Sequence, residues 1–416
     1  MKKITVPYFR PSIRPAEIDE VVAVLKSGWL TTGPRVKRFE ETFGAAVGGR
    51  HAVAVNSATA ALHLAVEDLG LKAGQAVLVP TMTFAATAEI VRYLGAVPVL
   101  VDCDPSTGNL DLDDASRKLE DLGAGRLSPR LPRHADVVGI IPVHVGGLML
   151  DMDRLASWAR ARGLWVVEDA AHAFPAAYRR SSRSAWRWCG QRTSAVSCFS
   201  FYANKTITTA EGGMAVTDDR GLADRMRLMS LHGLSHDAWG RYSGGGTWDY
   251  RILAPGFKYN LTDVAGAIGI HQLARAEEMR RAREAAARSY LAALGGVEEI
   301  ELPPDPPNRI HAWHLFPIRL RLERLALGRN RFMEELKQAG VGCSVHWRPL
   351  HLHPYYQRTF GWRSRDLAMA SALWPRLVSL PLFPGLTKAE ISHVARTVTK
   401  LCGRHRRDQR SRSAVD

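Results

Sequence analysis

Cysteine is scarce in this chain of 416 residues: five, at positions 103, 189, 198, 343 and 402. They form no CxxC pair and their number is odd. Neither a disulfide framework nor a metal site is expected, and a reducing cytoplasm is the default compartment. Long apolar runs are missing too. The stretch from Val137 to Leu150 is short and broken by Pro142, His144 and the Gly146–Gly147 pair, so no membrane span is expected. The opening residues, MKKITVPYFRPSIRP, lack the apolar core of a signal peptide. Neither GxGxxG nor GxxxxGK[ST] occurs, so a dinucleotide fold and a P-loop have no support. Zinc-finger spacing, an RNP aromatic string and a basic-leucine heptad are likewise absent, and no nucleic-acid partner is expected.

Acid is also in short supply: 41 Asp+Glu against 56 Lys+Arg, a formal net charge of +15. Residues 178–192 carry five Arg and no acid, and residues 404–416 carry five Arg against two Asp. The rest of the chain is mildly basic, which suits a phosphate-bearing ligand rather than an extended polyanion. Hydrophobic residues make up 46% and charged residues 23%. Those are the proportions of a globular chain with a large core, and they exclude a mostly disordered one.

From His51 onward, short β-branched runs alternate with helical segments. HAVAVN (51–56), AVLVP (76–80), VPVLVD (97–102), VVGIIPV (137–143), LWVVED (164–169), AVSCFSF (195–201) and GGMAVTD (212–218) read as seven strands. Strand–helix alternation at this spacing predicts crossover units and a mostly parallel, doubly covered seven-stranded sheet. The fold class is therefore α/β. Residues 16–26 place Ile18, Val21, Val22 and Leu25 at helical spacing. Asp263 to Leu294 reads as one long or kinked helix, and LPPDPPN (302–308) as a boundary. HAWHLFPIRL, a helix near 331–338 and VGCSVHW then predict a smaller C-terminal α/β unit. The expected division is 1–262 for an N-terminal arm and large domain, 263–403 for the long helix and small domain, and 404–416 for a disordered basic tail.

In such sheets ligands gather at the carboxyl ends of the strands. Ser57, Ala58 and Thr59 follow one strand and open a helix, where free N–H groups and hydroxyls suit a phosphate. Glu168, Asp169 and His172 follow another strand, and Ser200 and Lys205 a third. A phosphate nest, a carboxylate and a loop lysine at one sheet edge are what pyridoxal phosphate requires. Each signal alone is weak. A lone lysine after a strand is usually solvated, a lone Ser or Thr there usually caps a helix, and an Asp there is usually a turn residue.

Longer motifs carry a resemblance. SATAALHLA (57–65), VEDAAHA (167–173), FSFYANKTITTAEGGM (199–214) and GFKYNLTDVAGAIGIHQL (256–273) resemble those of the DegT/DnrJ/StrS nucleotide-sugar aminotransferases. WLTTGP (29–34), HGL (232–234), HLFPIRL (314–320), VHWRPLH (345–351) and SLPLFPGLT (379–387) extend the match in the same order, from about Pro7 to Leu401. LHGLSHDAW and GFKYNLTD look closest to the branch that makes 4-amino-4-deoxy-L-arabinose on UDP.

The resemblance implies the fold type I of pyridoxal-phosphate-dependent transferases, in a homodimer with shared sites. It implies Lys205 as the Schiff-base lysine and proton shuttle, Asp169 as partner of the pyridine nitrogen, and His172 near the ring's phenolic oxygen. Phe84 would stack on the ring. Ala58, Thr59 and Ser200 would hold the phosphate, with Asn260 reaching it from the neighbouring subunit. Thr32, His232 and His346 are candidates for the sugar-nucleotide side. The implied reaction moves nitrogen from glutamate, which leaves as 2-oxoglutarate, to a keto group of a nucleotide-linked sugar. The expected keto position is the 4-carbon of a UDP or dTDP sugar, in cell-surface polysaccharide, lipid A or secondary-metabolite synthesis.

Blander readings stand beside these. Phe84 could be core, His172 a satisfied buried histidine, His346 structural and Asn260 a turn residue. Related sugar dehydratases carry His at the position of Lys205, which disfavours that alternative, and the intact Lys205, Asp169 and Ser200 set disfavours a non-catalytic regulator. One departure from the family pattern is the Arg- and Trp-rich stretch 178–194, expected to be a solvated loop rather than a contact to a phosphorylated or lipid-linked partner.

Overall fold

The computed structural model describes residues 4–127, 130–131, 135–235 and 250–407. Its centre is a seven-stranded sheet. The strands are β1 (His51–Val55), β2 (Ala76–Pro80), β3 (Val97–Val101), β4 (Val137–Ile140), β5 (Trp165–Asp169), β8 (Val196–Ser200) and β9 (Gly213–Thr217). Two short strands, β6 (Ala177–Tyr178) and β7 (Arg187–Trp188), lie between β5 and β8 in sequence. The order across the sheet is β1-β9-β8-β5-β4-β2-β3. The pairings from β8 through β3 are parallel, and β9 runs antiparallel to both its neighbours. The carboxyl ends of β1, β2, β5 and β8 therefore share one edge, and β9 starts from that same edge. This follows from sequence: strands buried on both faces are Val-, Ile- and Ala-rich without alternation, and helices cross over between them.

Five phenylalanines pack beneath the edge that carries the site. Phe43 lies 5.0 Å from Phe199, 5.2 Å from Phe201 and 4.8 Å from Phe174, and Phe39 lies 5.1 Å from Phe201. Phe39 and Phe43 share one face of helix Pro34–Val47, and Phe199 belongs to β8. Such tilted ring pairs add roughly 0.5–1.5 kcal/mol each beyond the area they bury. They fix the end of β8, and so the loop that follows it.

The segment Asp263 to Leu294 folds as two helices, Asp263–Ala274 and Ala276–Leu294, broken at Arg275. The small unit departs from the α/β expectation. Its sheet is β10 (Ile300–Glu301), β12 (Phe316–Leu320) and β13 (Leu377–Leu380), and every pairing in it is antiparallel. VGCSVHW makes no strand. It contributes only single bridges, Val341 to Val6 and Ser344 to Ser379, and the expected strand comes instead from Leu377–Leu380, more than thirty residues on.

Helix Pro15–Ser27 forms as its spacing predicts, but it turns its apolar stripe outward. Ile18, Val22 and Leu25 are exposed, while Glu17 is buried. A carboxylate wins the inner face because Gln272 and Arg275 both donate to it.

The Arg-rich stretch after β5 is more ordered than a solvated loop. β6 pairs with β7 and with β11 (Arg309–Ile310). Arg180 and Arg187 both meet Asp153, Arg192 meets Asp218, and Arg179 lies over the Trp186 ring. Much of its charge is thus neutralised within the chain. The first residues of the expected tail, 404–407, are ordered. Helix Lys388–Arg404 includes that residue, His405 bonds Glu335 and Arg406 meets Glu299, while residues 408–416 lie outside the described residues. Among the described residues no helix is long and apolar enough to cross a membrane.

Candidate active site

A cavity of about 430 Å³ opens at the shared strand edge, lined by Ala58, Thr59, Phe84, Asp169, His172, Ser200, Lys205 and His346 together with small-unit residues. Eight of the eleven residues to which the resemblance gives a role thus meet in one place.

Each wall has a local cause. Helix Ala58–Asp68 begins beside β9, where the Ser57 hydroxyl accepts the Ala60 N–H at 3.1 Å. That cap leaves the N–H groups of Ala58 and Thr59 without an intrahelical partner. The helix can start there because residue 213 is glycine: a Cβ at that position would lie 2.4 Å from the Ser57 carbonyl carbon and 2.6 Å from the Ala58 nitrogen. Ser200 ends β8 on the adjacent side.

Asp169 ends β5. Its Oδ1 accepts the Ala171 N–H at 3.1 Å and its Oδ2 accepts the Thr87 hydroxyl at 2.8 Å. Burial raises its carboxyl above the ordinary range, against the pull of those donors and of Lys205. Lys205 sits in the loop after β8, in a turn closed by its N–H to the Tyr202 carbonyl at 2.9 Å. Burial brings its amine down to about 8, opposed by Asp169, and its Nζ has no hydrogen-bond partner among the described residues. An amine poised this way is a usable nucleophile near neutrality.

His172 packs between two rings, Trp347 stacked at 5.0 Å and His314 tilted at 4.1 Å. Burial, then Lys205, hold it well below its ordinary value, so it is neutral, and its Nδ1 is buried without a partner. His346 is brought down to about 4 by burial and Lys205, with Nδ1 2.9 Å from the Ser379 hydroxyl. Phe84 is 64% exposed, its ring edging the cavity mouth rather than the core.

Thr32, His232 and Asn260 lie elsewhere in this chain. The Asn260 amide donates to the Thr32 hydroxyl at 2.8 Å, and both border a second cavity of about 680 Å³ beside β1. His232 is exposed in a turn, its N–H on the Phe257 carbonyl. The part of LHGLSHDAW beyond Ser235 lies outside the described residues.

Glu168, a neighbour of Asp169 on β5, points to the opposite face, as successive strand residues must. There it is fully buried. The Leu150 N–H donates to His144 Nδ1, so His144 Nε2 carries the proton and donates to Glu168 at 2.6 Å. The Ser197 hydroxyl donates to the same carboxylate at 2.5 Å. Sequence reasoning had not marked Thr83, Thr87, His314 and Trp347. A threonine pair four residues apart just after a strand end was the available signal for the first two.

These features fit pyridoxal phosphate: two unpartnered N–H groups at a helix start with a close glycine beneath them, an amine without a hydrogen bond, an anchored carboxylate, and an orphaned imidazole nitrogen in the same cavity.

Comparison with known proteins agrees. The profile of the DegT/DnrJ/EryC1/StrS aminotransferase family matches residues 11–399. The spore coat polysaccharide biosynthesis protein SpsC of Bacillus subtilis is 40% identical over 393 residues, 94% of this chain and 96% of its own. The PLP form of Spr1654 from Streptococcus pneumoniae superposes with a TM-score of 0.84 at 28% identity, covering 96% of this chain and 99% of that one, and its PMP form with 0.83. The sugar aminotransferase CalS13 of Micromonospora echinospora gives 0.78 at 31% identity, covering 95% and 99%. On its sequence, its fold and the chemistry gathered at one sheet edge, the chain belongs to the DegT/DnrJ/EryC1/StrS family and is a pyridoxal-phosphate-dependent sugar aminotransferase.

Proposed function

We propose that this enzyme takes nitrogen from glutamate and delivers it to a keto carbon, at the 4-position, of a UDP- or dTDP-linked sugar. The products serve cell-surface polysaccharide, lipid A or secondary-metabolite synthesis, and the setting is the reducing cytoplasm, which suits five free cysteines. The observation that carries the reading is the juxtaposition of Lys205, Asp169 and the open start of helix Ala58–Asp68 around one cavity. SpsC, a polysaccharide biosynthesis protein by name, supports the pathway class.

Bound in this cavity, pyridoxal phosphate supplies an aldehyde for nitrogen and a ring that accepts electron density. The protein's own groups do the rest. The Ala58 and Thr59 N–H groups, with the Ser200 hydroxyl, bind the phosphate. Asp169 would hold a proton on the ring nitrogen, His172 would serve the ring's oxygen, and Phe84 would cover a face. The Lys205 Nζ would take up the aldehyde and, when free, would hold and move the proton of each half-reaction.

The pH dependence of capture follows from burial of the amine. The rate at which added PLP develops visible absorption with cofactor-free protein should climb with pH and level off above about 8. A lysine at its ordinary 10.5 would still be climbing at pH 10, and that result would refute the burial argument.

The reading also makes the enzyme a homodimer in which Asn260, remote from its own chain's cavity, reaches the phosphate of the neighbouring site. Thr32 and His232 fall on the same side and would serve the nucleotide, and His346 the sugar. The exposed Phe84 and Tyr202 at the cavity mouth support a site that is open until a second subunit meets it.

A half-reaction screen tests the reading. The protein is converted to its amino form with glutamate, then offered a panel of UDP-, dTDP- and GDP-ketosugars while absorbance is followed. Recovery of the aldehyde form with a 4-keto UDP or dTDP sugar is expected. Recovery only with free sugars or 2-oxo acids would defeat it, and a fully active monomer in sedimentation would defeat the shared site.

A further inference from the structure

Asp169 is held by a hydroxyl that is itself held. The Thr87 Oγ1 stands 2.8 Å from Asp169 Oδ2, 2.7 Å from the Thr83 Oγ1 and 3.3 Å from the Phe84 carbonyl. Both threonines are buried. Thr87 has one proton to give and three acceptors to choose from. The carboxylate wins, because a hydrogen bond to an ionised oxygen is about twice as strong as one between neutral groups. The Thr83 proton must then point at the lone pair of Thr87. The chain runs one way, Thr83 to Thr87 to Asp169, and each donor polarises the next.

The direction depends on the charge of Asp169. A protonated Asp169 would turn the Thr87 hydroxyl onto the Phe84 carbonyl, which lies farther away and already accepts the Thr87 N–H at 3.3 Å. The ionised state is therefore the one with the better hydrogen bonds. Asp169 needs this help, since it is 5% exposed at the bottom of the cavity. The other titratable groups that feel it are Lys205, His144, Cys189 and Cys198, and both thiols are held protonated by burial. The same hydroxyl reaches the carbonyl of Phe84, so one residue touches the supports of both the ring's nitrogen and its face.

We propose that Thr83 and Thr87 form a one-way hydroxyl chain that keeps Asp169 ionised and oriented toward the cofactor's ring nitrogen, with Thr87 as the positioning residue. The inference rests on the assignment of Asp169 to that nitrogen. It concerns how the carboxylate is maintained, which the assignment itself leaves open.

The test is made on the full chain freed of cofactor. Aspartate is labelled with ¹³C at the carboxyl, and the Asp169 signal is identified by its loss in Asp169→Asn. Thr87→Val, which keeps the shape and removes the hydroxyl, should raise the Asp169 titration by about one pKa unit or more. Thr87→Ser should restore it, and Thr83→Ala, which removes only the first donor, should shift it less in the same direction. At a pH below the Asp169 titration, PLP affinity in Thr87→Val should fall about tenfold, the same one-unit effect read on binding. That loss should vanish when Asp169 is already Asn.

Identical titration of Asp169 in wild type and in both threonine variants would overturn the proposal. So would an equal loss of PLP affinity with and without the carboxylate, which would mark Thr87 as merely structural. If instead Asp169→Asn bound PLP as tightly as wild type while the titration shift remained, the assignment of Asp169 would fall and the hydroxyl chain would stand.

Discussion

Replacing Lys205 with alanine is expected to lower turnover by about 10⁴-fold or more, since on the proposed mechanism one amine would both capture the aldehyde and move the proton in two half-reactions. The visible absorption of lysine-bound PLP should disappear, while PLP itself still binds through the phosphate and ring contacts. Folding should survive. The Lys205 Nζ makes no hydrogen bond among the described residues, and burial already pulls its amine down to about 8. Lys205 is half-buried and mainly desolvated, so its removal takes away a partly desolvated cation at the cost of one attraction to Asp169, and the melting temperature should change little. Lys205→Arg should not restore turnover, because a guanidinium stays protonated and cannot attack a carbonyl. Unchanged turnover in Lys205→Ala, or borohydride treatment that labels a different lysine, would remove the basis of the mechanism.

Asp169→Asn is expected to weaken PLP binding by about 30-fold or more and to lower turnover by a further 10²–10³-fold or so. The first effect would come from losing one side of the proposed ion pair between Asp169 and a protonated ring nitrogen. The second comes from losing the charge that lets the ring accept electrons. The amide has a further difficulty. The two groups around residue 169, the Ala171 N–H and the Thr87 hydroxyl, both donate, so the Asn NH₂ must face a donor or force Thr87 to turn. Asp169→Glu keeps the charge but lengthens the arm, and should recover only part of the binding. Equilibrium dialysis with PLP and single-turnover rates with glutamate separate the two effects. An Asp169→Asn enzyme with wild-type affinity would show that the carboxylate serves another purpose.

Much of this was legible in the residues. The seven strands follow from apolar runs separated by helical spacing, and the placing of Ser57, Asp169 and Lys205 just after strands was enough to predict a common edge. What spacing could not supply was direction. GGMAVTD has the composition of any buried strand, and only tertiary pairing turns it antiparallel between β1 and β8. The outward face of helix Pro15–Ser27 was hidden for a similar reason, because Arg275 and Gln272, which draw Glu17 inward, lie some 250 residues away. VHW was misjudged as strand because β-branched composition does not say whether a partner strand exists; the neighbouring edge is taken by Leu377–Leu380. His314 stood inside a quoted motif without a role, since its closeness to His172 is a property of the assembled units. The separation of Thr32 and Asn260 from the remaining site residues could not be read from sequence order at all.

The small sheet formed by β6, β7 and β11 has a consequence for traffic. Arg309 and Ile310, which lie beyond the proline-rich boundary, are stitched by backbone bonds to Tyr178 and Ala177. The floor residues Asp169 and Lys205 belong to one side of that seam, and His314, His346 and Trp347 to the other. A clasp of this kind resists parting of the two halves, so reactants are not expected to arrive by the jaws swinging open. Cross-linking across the clasp should therefore leave the passage of glutamate and sugar undisturbed.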